Sequence, residues 1–294
     1  ACVRLACRKM ENVKVIYTAH GFHFYKGAPL INWLTYYPVE LWLARYTDVL
    51  ITINKEDYLR AIKSFKADKI KYIPGVGINV EKFRDVEVNK VLKRKEFGIP
   101  EDAFLILSVG ELNKNKNHEI IIKALSRLRK SDIYYVICGK GKLEGYLKQI
   151  ASNLELENNV IFSGFQSKMP EIIKTADLFA FPSKREGLPV SLMEALTAGL
   201  PVVCTRIRGN IDLVEKVDFV SIVEPDDLDG FSQAIEMFYD SIKSQSKTQS
   251  HSTRDMTRYS MDNVLRELKN IYDEITNIQI TKVDNHEDRY PKKS

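Results

Sequence analysis

Two short apolar runs, Leu178–Phe181 and residues 201–204, bracket a stretch that holds one loop and one helix. Runs of four apolar residues bounded by turn residues read as buried strands. Strand, helix and strand in succession imply a parallel sheet. Pro189 suits the first turn of that helix, where its missing N–H costs nothing. Val190, Met193, Leu196 and Thr197 recur at helical spacing and are expected to form its buried side. Gly199 is placed to end the helix as a left-handed cap.

The same alternation runs through the chain. Further strands are expected at 13–19, 49–53, 70–73, 105–109, 134–138, 160–162 and 220–223, with helices between them. Asn54 is a good N-cap for the helix that follows it. The chain is therefore of α/β class, and 294 residues suffice for two domains. A charged stretch at 84–100 reads as the linker. The expected layout is a partial first domain over 1–97, a second over 98–255, a terminal helix over 256–278 and a frayed tail over 279–294. The first domain is expected to be incomplete, since the chain opens without Met and in what reads as a helix. Residues 243–253 are polar and read as a connector.

Charge and cysteine content narrow the function. A formal charge of +5 attracts phosphate or anionic lipid without demanding nucleic acid, and no basic arm is present. No apolar stretch reaches the roughly 18 residues of a membrane span. Cys138 and Cys204 fall in strand patterns and read as core thiols of a reducing compartment. Residues 22–46 mix many aromatics with Lys26 and Arg45. Such a stretch can seat a protein at a membrane interface, or be core with a solvated rim.

Candidate chemistry sits at strand ends. In the loop at 182–189, Gly187 just before a helix lets backbone N–H groups approach an anion. Glu186 and Glu194 are acids beside that anion site; carboxylates accept hydrogen bonds from hydroxyls, so a ligand with both sugar and phosphate fits. As a loop charge and a solvated helix face they need no role. His20 ends a buried strand before Gly21, where α/β folds place ligand residues. Gly110 opens a turn with Lys114 and Lys116 before a helix, a phosphate-binding layout. Gly139, Gly141 and Gly145 admit a rival reading, the dinucleotide fingerprint of an oxidoreductase. Against it, this turn follows the second strand of its domain, and no acid ends a strand about 20 residues on.

The segment EGLPVSLMEALTAGLPVV resembles the Glu-x7-Glu signature of the family 4 retaining glycosyltransferases of GT-B fold. The likeness spans 13 to about 275 and implies two Rossmann-like domains facing across a cleft. It implies that Glu186 lies near the donor sugar, the Gly187 and Leu188 amides near the diphosphate, and Glu194 near the ribose. TAHG resembles the strand end whose His faces the donor sugar, which makes His20 and Glu186 the expected catalytic residues. The turn from Gly110 resembles a Gly-Arg-Leu…Lys-Gly motif that grips the diphosphate; Lys116 matches its Lys, and Glu111 stands where Arg is usual. The Gly139 turn belongs to the same pattern, and Gly164 and Phe165 are expected to face the base, in a manner that suits uracil. No metal and no cofactor are implied. The pattern is most similar to bacterial enzymes of capsule or exopolysaccharide assembly, which implies a UDP-sugar donor, a lipid-linked saccharide acceptor and work at the cytoplasmic face of the membrane. The alternative reading is an inactive fragment that binds nucleotide sugar without an acceptor site.

Overall fold

Strand–helix alternation produces two separate sheets, and every strand pairing in both is parallel. The computed structural model describes residues 2–10, 12–215, 217–244 and 255–287, with the side chains of the final helix described through Thr276. The polar connector from 245 and the tail from 288 lie outside the described residues. In chain order the first elements are α1 (Cys2–Ala6), β1 (Ile16–Ala19), α2 (Leu30–Leu43), β2 (Val49–Thr52), α3 (Lys55–Ser64) and β3 (Lys69–Tyr72). Then come α4 (Val80–Arg84), α5 (Lys90–Glu96), β4 (Phe104–Val109), α6 (His118–Leu128), β5 (Ile133–Cys138), α7 (Glu144–Asn153) and β6 (Val160–Gly164). The rest is α8 (Met169–Thr175), β7 (Leu178–Phe181), α9 (Val190–Thr197), β8 (Val202–Thr205), α10 (Arg208–Val214), β9 (Val220–Val223), α11 (Leu228–Ser244) and α12 (Met261–Glu287). The last helix thus continues into the stretch expected to be a loose tail.

The chain divides into two compact units between Gly77 and Ile78, and the segment from Arg258 returns to the first unit. Sequence composition placed the boundary near 97. The reason for the difference is visible at Arg94 of α5, which is buried. Its guanidinium donates to the carbonyls of Glu101, Ala103 and Thr175 and to Asp177 at 2.7 Å. Those bonds fasten α5 to the start of β4 and to the residue before β7, so the charged stretch belongs to the second unit.

In the first unit the described strands lie in the order β1-β2-β3. Strand side chains alternate between faces. Leu50 therefore joins Phe22, Phe24, Ala61 and Phe65 in one cluster, while Val49 and Ile51 face the other way. That second face is closed by α12 through Val264, Leu268, Ile271 and Ile275. Each such aliphatic, fully buried, contributes about 1.5–3 kcal/mol. Asn54 caps α3 as its sequence suggests, accepting from the Asp57 amide at 2.9 Å.

The second unit has six described strands in the order β6-β5-β4-β7-β8-β9. Its central strands β7 and β8 are buried along their whole length and β4 in all but its last residue, which accounts for their continuous apolar runs. Helix α9 ends as expected: Gly199 has φ +73°, its amide bonds the Leu196 carbonyl, and the Leu200 amide reaches back to Ala195. Its burial differs from the spacing argument. Val190 is exposed, while Leu192 and Ala195 are buried along with Met193, Leu196 and Thr197. The helix is embedded on most sides, because α4, α8 and α10 all pack on it.

Candidate active site

The strand order decides where a ligand can go. β4 and β7 are neighbours, yet the chain leaves β4 toward β5 on one side and β7 toward β8 on the other. Loops leaving the carboxyl ends of such a pair part and leave a crevice. One loop is 110–117, the other 182–189, and side chains bind them together. Asn115 donates to the Arg185 carbonyl at 2.9 Å, and the Lys184 amide donates to the Asn115 carbonyl at 2.8 Å. Lys116 Nζ meets Glu186 Oε1 at 2.7 Å, with both side chains largely buried. Lys116 also lies 5.0 Å from the Phe181 ring centre, and its amide donates to Asn113 Oδ1. Arg208, at the start of α10, donates from Nε to the Glu186 carbonyl at 3.1 Å.

Glycines let these loops close on one another. A Cβ on Gly139 would lie 1.9 Å from the Gly110 carbonyl oxygen, and one on Gly141 would lie 2.4 Å from that of Leu112. A Cβ on Gly209 would lie 2.3 Å from the Gly187 carbonyl oxygen. The Gly110 amide donates to Cys138, and that of Gly139 to Gly164, which itself has φ +68°. The structure thus brings Gly110, Lys116, Gly139, Gly164, Glu186 and Gly187 into one hydrogen-bonded or packed series. Packing of the two loops accounts for Gly139 and Gly141 without a dinucleotide. Phe165 beyond Gly164 is 78% exposed.

At the amino end of α9 the Gly187 and Leu188 amides take part in no hydrogen bond among the described residues. The first-turn amides of a helix likewise lack intrahelical acceptors. The Leu188 side chain is buried and anchors the loop. Glu194 lies one turn further in. Its carboxyl is half-buried and has no hydrogen-bond partner among the described residues, and burial pushes its pKa up to about 7, against the pull of Lys82. A carboxyl group in that position is short of donors, which is the condition in which hydroxyls of a ligand bind.

Beneath the loop at 110–117 lies a buried polar chain that sequence patterns do not reveal. Ser108 Oγ donates to the Ala180 carbonyl at 2.6 Å, and Tyr135 Oη donates to Ser108 at 2.8 Å. The phenol oxygen is then left to accept from His118 Nδ1 at 3.1 Å. Burial, followed by the charge of Lys116, lowers the His118 pKa to about 4, so the ring is neutral at pH 7. This chain ties β4, β5, β7 and α6 together under Lys116. The one sequence hint is a histidine opening an apolar helix.

His20 belongs to the first unit. It stands exposed just past the carboxyl end of β1, where its sequence position suggests. His23 stacks on Tyr36, with ring centres 4.6 Å apart. Glu111 is exposed on the Gly110 turn.

The family described as Glycosyl transferases group 1 matches residues 89–254. EpsD of Bacillus subtilis (strain 168) is 37% identical over 276 residues, 92% of this chain and 72% of that protein. The chain belongs to the group 1 glycosyltransferases. They are enzymes that transfer sugars, and the oxidoreductase reading falls away with that membership. A second relative, 31% identical over 79% of this chain and 62% of its own length, is the Escherichia coli UDP-Gal:alpha-D-GlcNAc-diphosphoundecaprenol alpha-1,3-galactosyltransferase. Among solved structures, Anabaena Alr3699/HepE in complex with UDP and glucose has a TM-score of 0.78 at 19% identity, over 92% of this chain and 74% of that one. Sucrose-phosphate synthase from Thermosynechococcus elongatus has a TM-score of 0.76 at 18% identity, over 94% and 71%. These likenesses show the fold of this glycosyltransferase, two Rossmann-like domains of GT-B type.

Proposed function

We propose that this chain is a retaining glycosyltransferase that moves a sugar from a UDP-sugar to a hydroxyl of a lipid-linked saccharide during capsule or exopolysaccharide assembly. The observation that carries the donor site is the half-buried, unpartnered Glu194 carboxyl on α9, a helix whose amino end adjoins the Lys116–Glu186 pair. In this reading Glu194 accepts hydrogen bonds from the ribose hydroxyls. The Gly187 and Leu188 amides and Lys116 hold the diphosphate, and Gly110 and Gly139 let their loops approach it. Gly164 and Phe165 meet the base. Glu186 and His20 orient the donor sugar. The Escherichia coli relative, with UDP-Gal and an undecaprenol-linked acceptor in its name, supports the donor and acceptor classes. The crystal complex of Alr3699/HepE with UDP and glucose supports the nucleotide.

The reaction breaks the bond from the anomeric carbon to the diphosphate oxygen and forms a bond to the acceptor oxygen on the same face. The acceptor proton passes to the departing phosphate. Lys116 and the first-turn amides of α9 stabilise the charge that develops there. Lys116 approaches with its ammonium held by Glu186, so donor binding has only to share an ammonium already in place. An acceptor linked to a membrane lipid places the enzyme at the inner face of the cytoplasmic membrane, and among the described residues no helix is long and apolar enough to cross one.

Thermal unfolding with UDP, GDP, UDP-sugars and NAD(H) tests the reading. A ligand at 100 times its Kd adds about 2.7 kcal/mol. The expected result is stabilisation by UDP or a UDP-sugar that Glu194→Ala abolishes. Stabilisation by NAD(H) alone, or by no nucleotide, overturns it.

A further inference from the structure

Backbone pairing between β4 and β7 stops at Leu107 and Phe179, just below the crevice. From there side chains join the strands. Ser108 Oγ donates to the Ala180 carbonyl, Tyr135 Oη donates to Ser108, and His118 Nδ1 completes the chain. Ser108, Tyr135 and His118 are each no more than 2% exposed. The two ends of this chain are the roots of the two site loops. Ala180 lies on β7 just before the loop at 182–189, and His118, the first residue of α6, closes the loop at 110–117. Two struts therefore join the loops: the Lys116–Glu186 pair at the crevice, and this chain beneath it.

Packing does not require the lower strut. Ile120, Ile121, Ile122 and Leu125 already seat α6 in the core that holds Tyr135, and an aliphatic at 118 would bury no orphan nitrogen. The imidazole does bury one. Its Nε2 has no partner among the described residues, and a buried polar atom left unpaired costs free energy. What the ring supplies in return is direction. Apolar burial holds a helix against a sheet without fixing how its first turn is rotated, whereas a hydrogen bond is directional. The residue between His118 and Lys116 is Asn117, held at a left-handed φ of +53°. Such a conformation persists where the surrounding structure fixes it. The backbone of Gly110 and Glu111 also stands near enough to favour a protonated ring, an effect that burial outweighs. The imidazole thus adjoins both ends of the loop that carries Lys116.

We infer that His118 is a positioning residue for the donor diphosphate: through Tyr135 and Ser108 it ties the Lys116 turn to β7, and so sets where the ammonium stands relative to Glu186. The inference rests on the diphosphate contact proposed above for Lys116.

Titration calorimetry with UDP and with uridine tests it, since uridine lacks the phosphates that Lys116 would hold. Tyr135→Phe keeps the ring and leaves Ser108 its bond to Ala180, but takes the acceptor from His118. It should weaken UDP about fivefold and uridine by less than about twofold. His118→Leu should do the same. His118→Asn, whose amide nitrogen can stand in for Nδ1, should stay within about twofold of the parent. In a Lys116→Ala background, Tyr135→Phe should have no further effect on UDP. Unfolding temperatures establish that each variant is folded during the titration. Equal losses of UDP and uridine, or a loss that persists without Lys116, overturn the inference, because the chain then acts on the fold at large. A second readout needs no nucleotide. The coupling of Lys116 with Glu186, from denaturation of Lys116→Ala, Glu186→Gln and the double variant, should disappear in a Tyr135→Phe background. A coupling that persists there overturns the inference. UDP bound equally by the parent and by Lys116→Ala defeats the donor reading instead, and the coupling alone then decides.

Discussion

Glu194 is an acid placed where its own fold disfavours its charge. Its pKa rises from an ordinary 4.5 to about 7 on burial, so the unfolded chain ionises it first as pH increases. Below pH 4.5 the group is neutral in both states and costs nothing. As pH rises through 7 the penalty grows and then levels. Replacing it with neutral glutamine should therefore stabilise the protein at pH 8 by about 1–2 kcal/mol once solvent screening is allowed for. The same substitution should leave stability at pH 4 unchanged, and calorimetry at both pH values checks this. Ligand hydroxyls need the ionised form as acceptor. UDP affinity in the parent should thus fall about tenfold from pH 8 to pH 6, while Glu194→Gln binds weakly with a flat profile. Titration calorimetry across that range is the measurement. The two measurements together separate a cost to folding from the gain to UDP binding proposed for this carboxyl.

At the scale of elements, the three glycines after β5 look equivalent in the sequence and are not. Gly139 and Gly141 face carbonyl oxygens of the neighbouring loop, whereas a Cβ on Gly145, in the first turn of α7, would meet nothing within 4 Å. Gly139→Ala and Gly141→Ala should each cost roughly 3 kcal/mol or more, since backbone on both sides must shift. Gly145→Ala should stabilise by about 0.5–1 kcal/mol through lost freedom of the unfolded chain. Denaturant midpoints of the three variants check this. A dinucleotide reading would instead make all three substitutions harmful to binding.

For the whole molecule, the covalent order and the packing order differ. The chain leaves the first unit at Gly77, builds the second, and comes back from Arg258 so that α12 can close the open face of β2 and β3. Lys69 and Lys71 both reach Glu274, at 2.6 and 3.0 Å. Ile271→Ala should cost about 2–5 kcal/mol, as large-to-small core changes do. Hydrogen exchange should locate that cost. Amides of β2 should exchange faster, and those of β4 and β5 should keep the parent rate, because Ile271 packs in the cluster of the first unit alone.

Local pattern determined much of this protein. Short apolar runs, the Asn54 cap and the Gly199 stop are set by backbone periodicity and by residues whose own dihedrals and hydrogen bonds suffice, and these the sequence shows directly. Resemblance to a known motif singles out Lys116, Glu186 and Glu194, and the fold brings the first two into contact. What tertiary structure alone decided is which distant pieces meet. Lys116 and Glu186 stand 70 residues apart, and their contact follows from β4 lying beside β7. The Ser108–Tyr135–His118 chain, the anchoring of Arg94 and the burial of α9 on most sides arise the same way. Helical spacing tells which residues share a side; it does not tell whether that side will be covered. Val190 is an apolar position left exposed by neighbours that only the tertiary structure supplies.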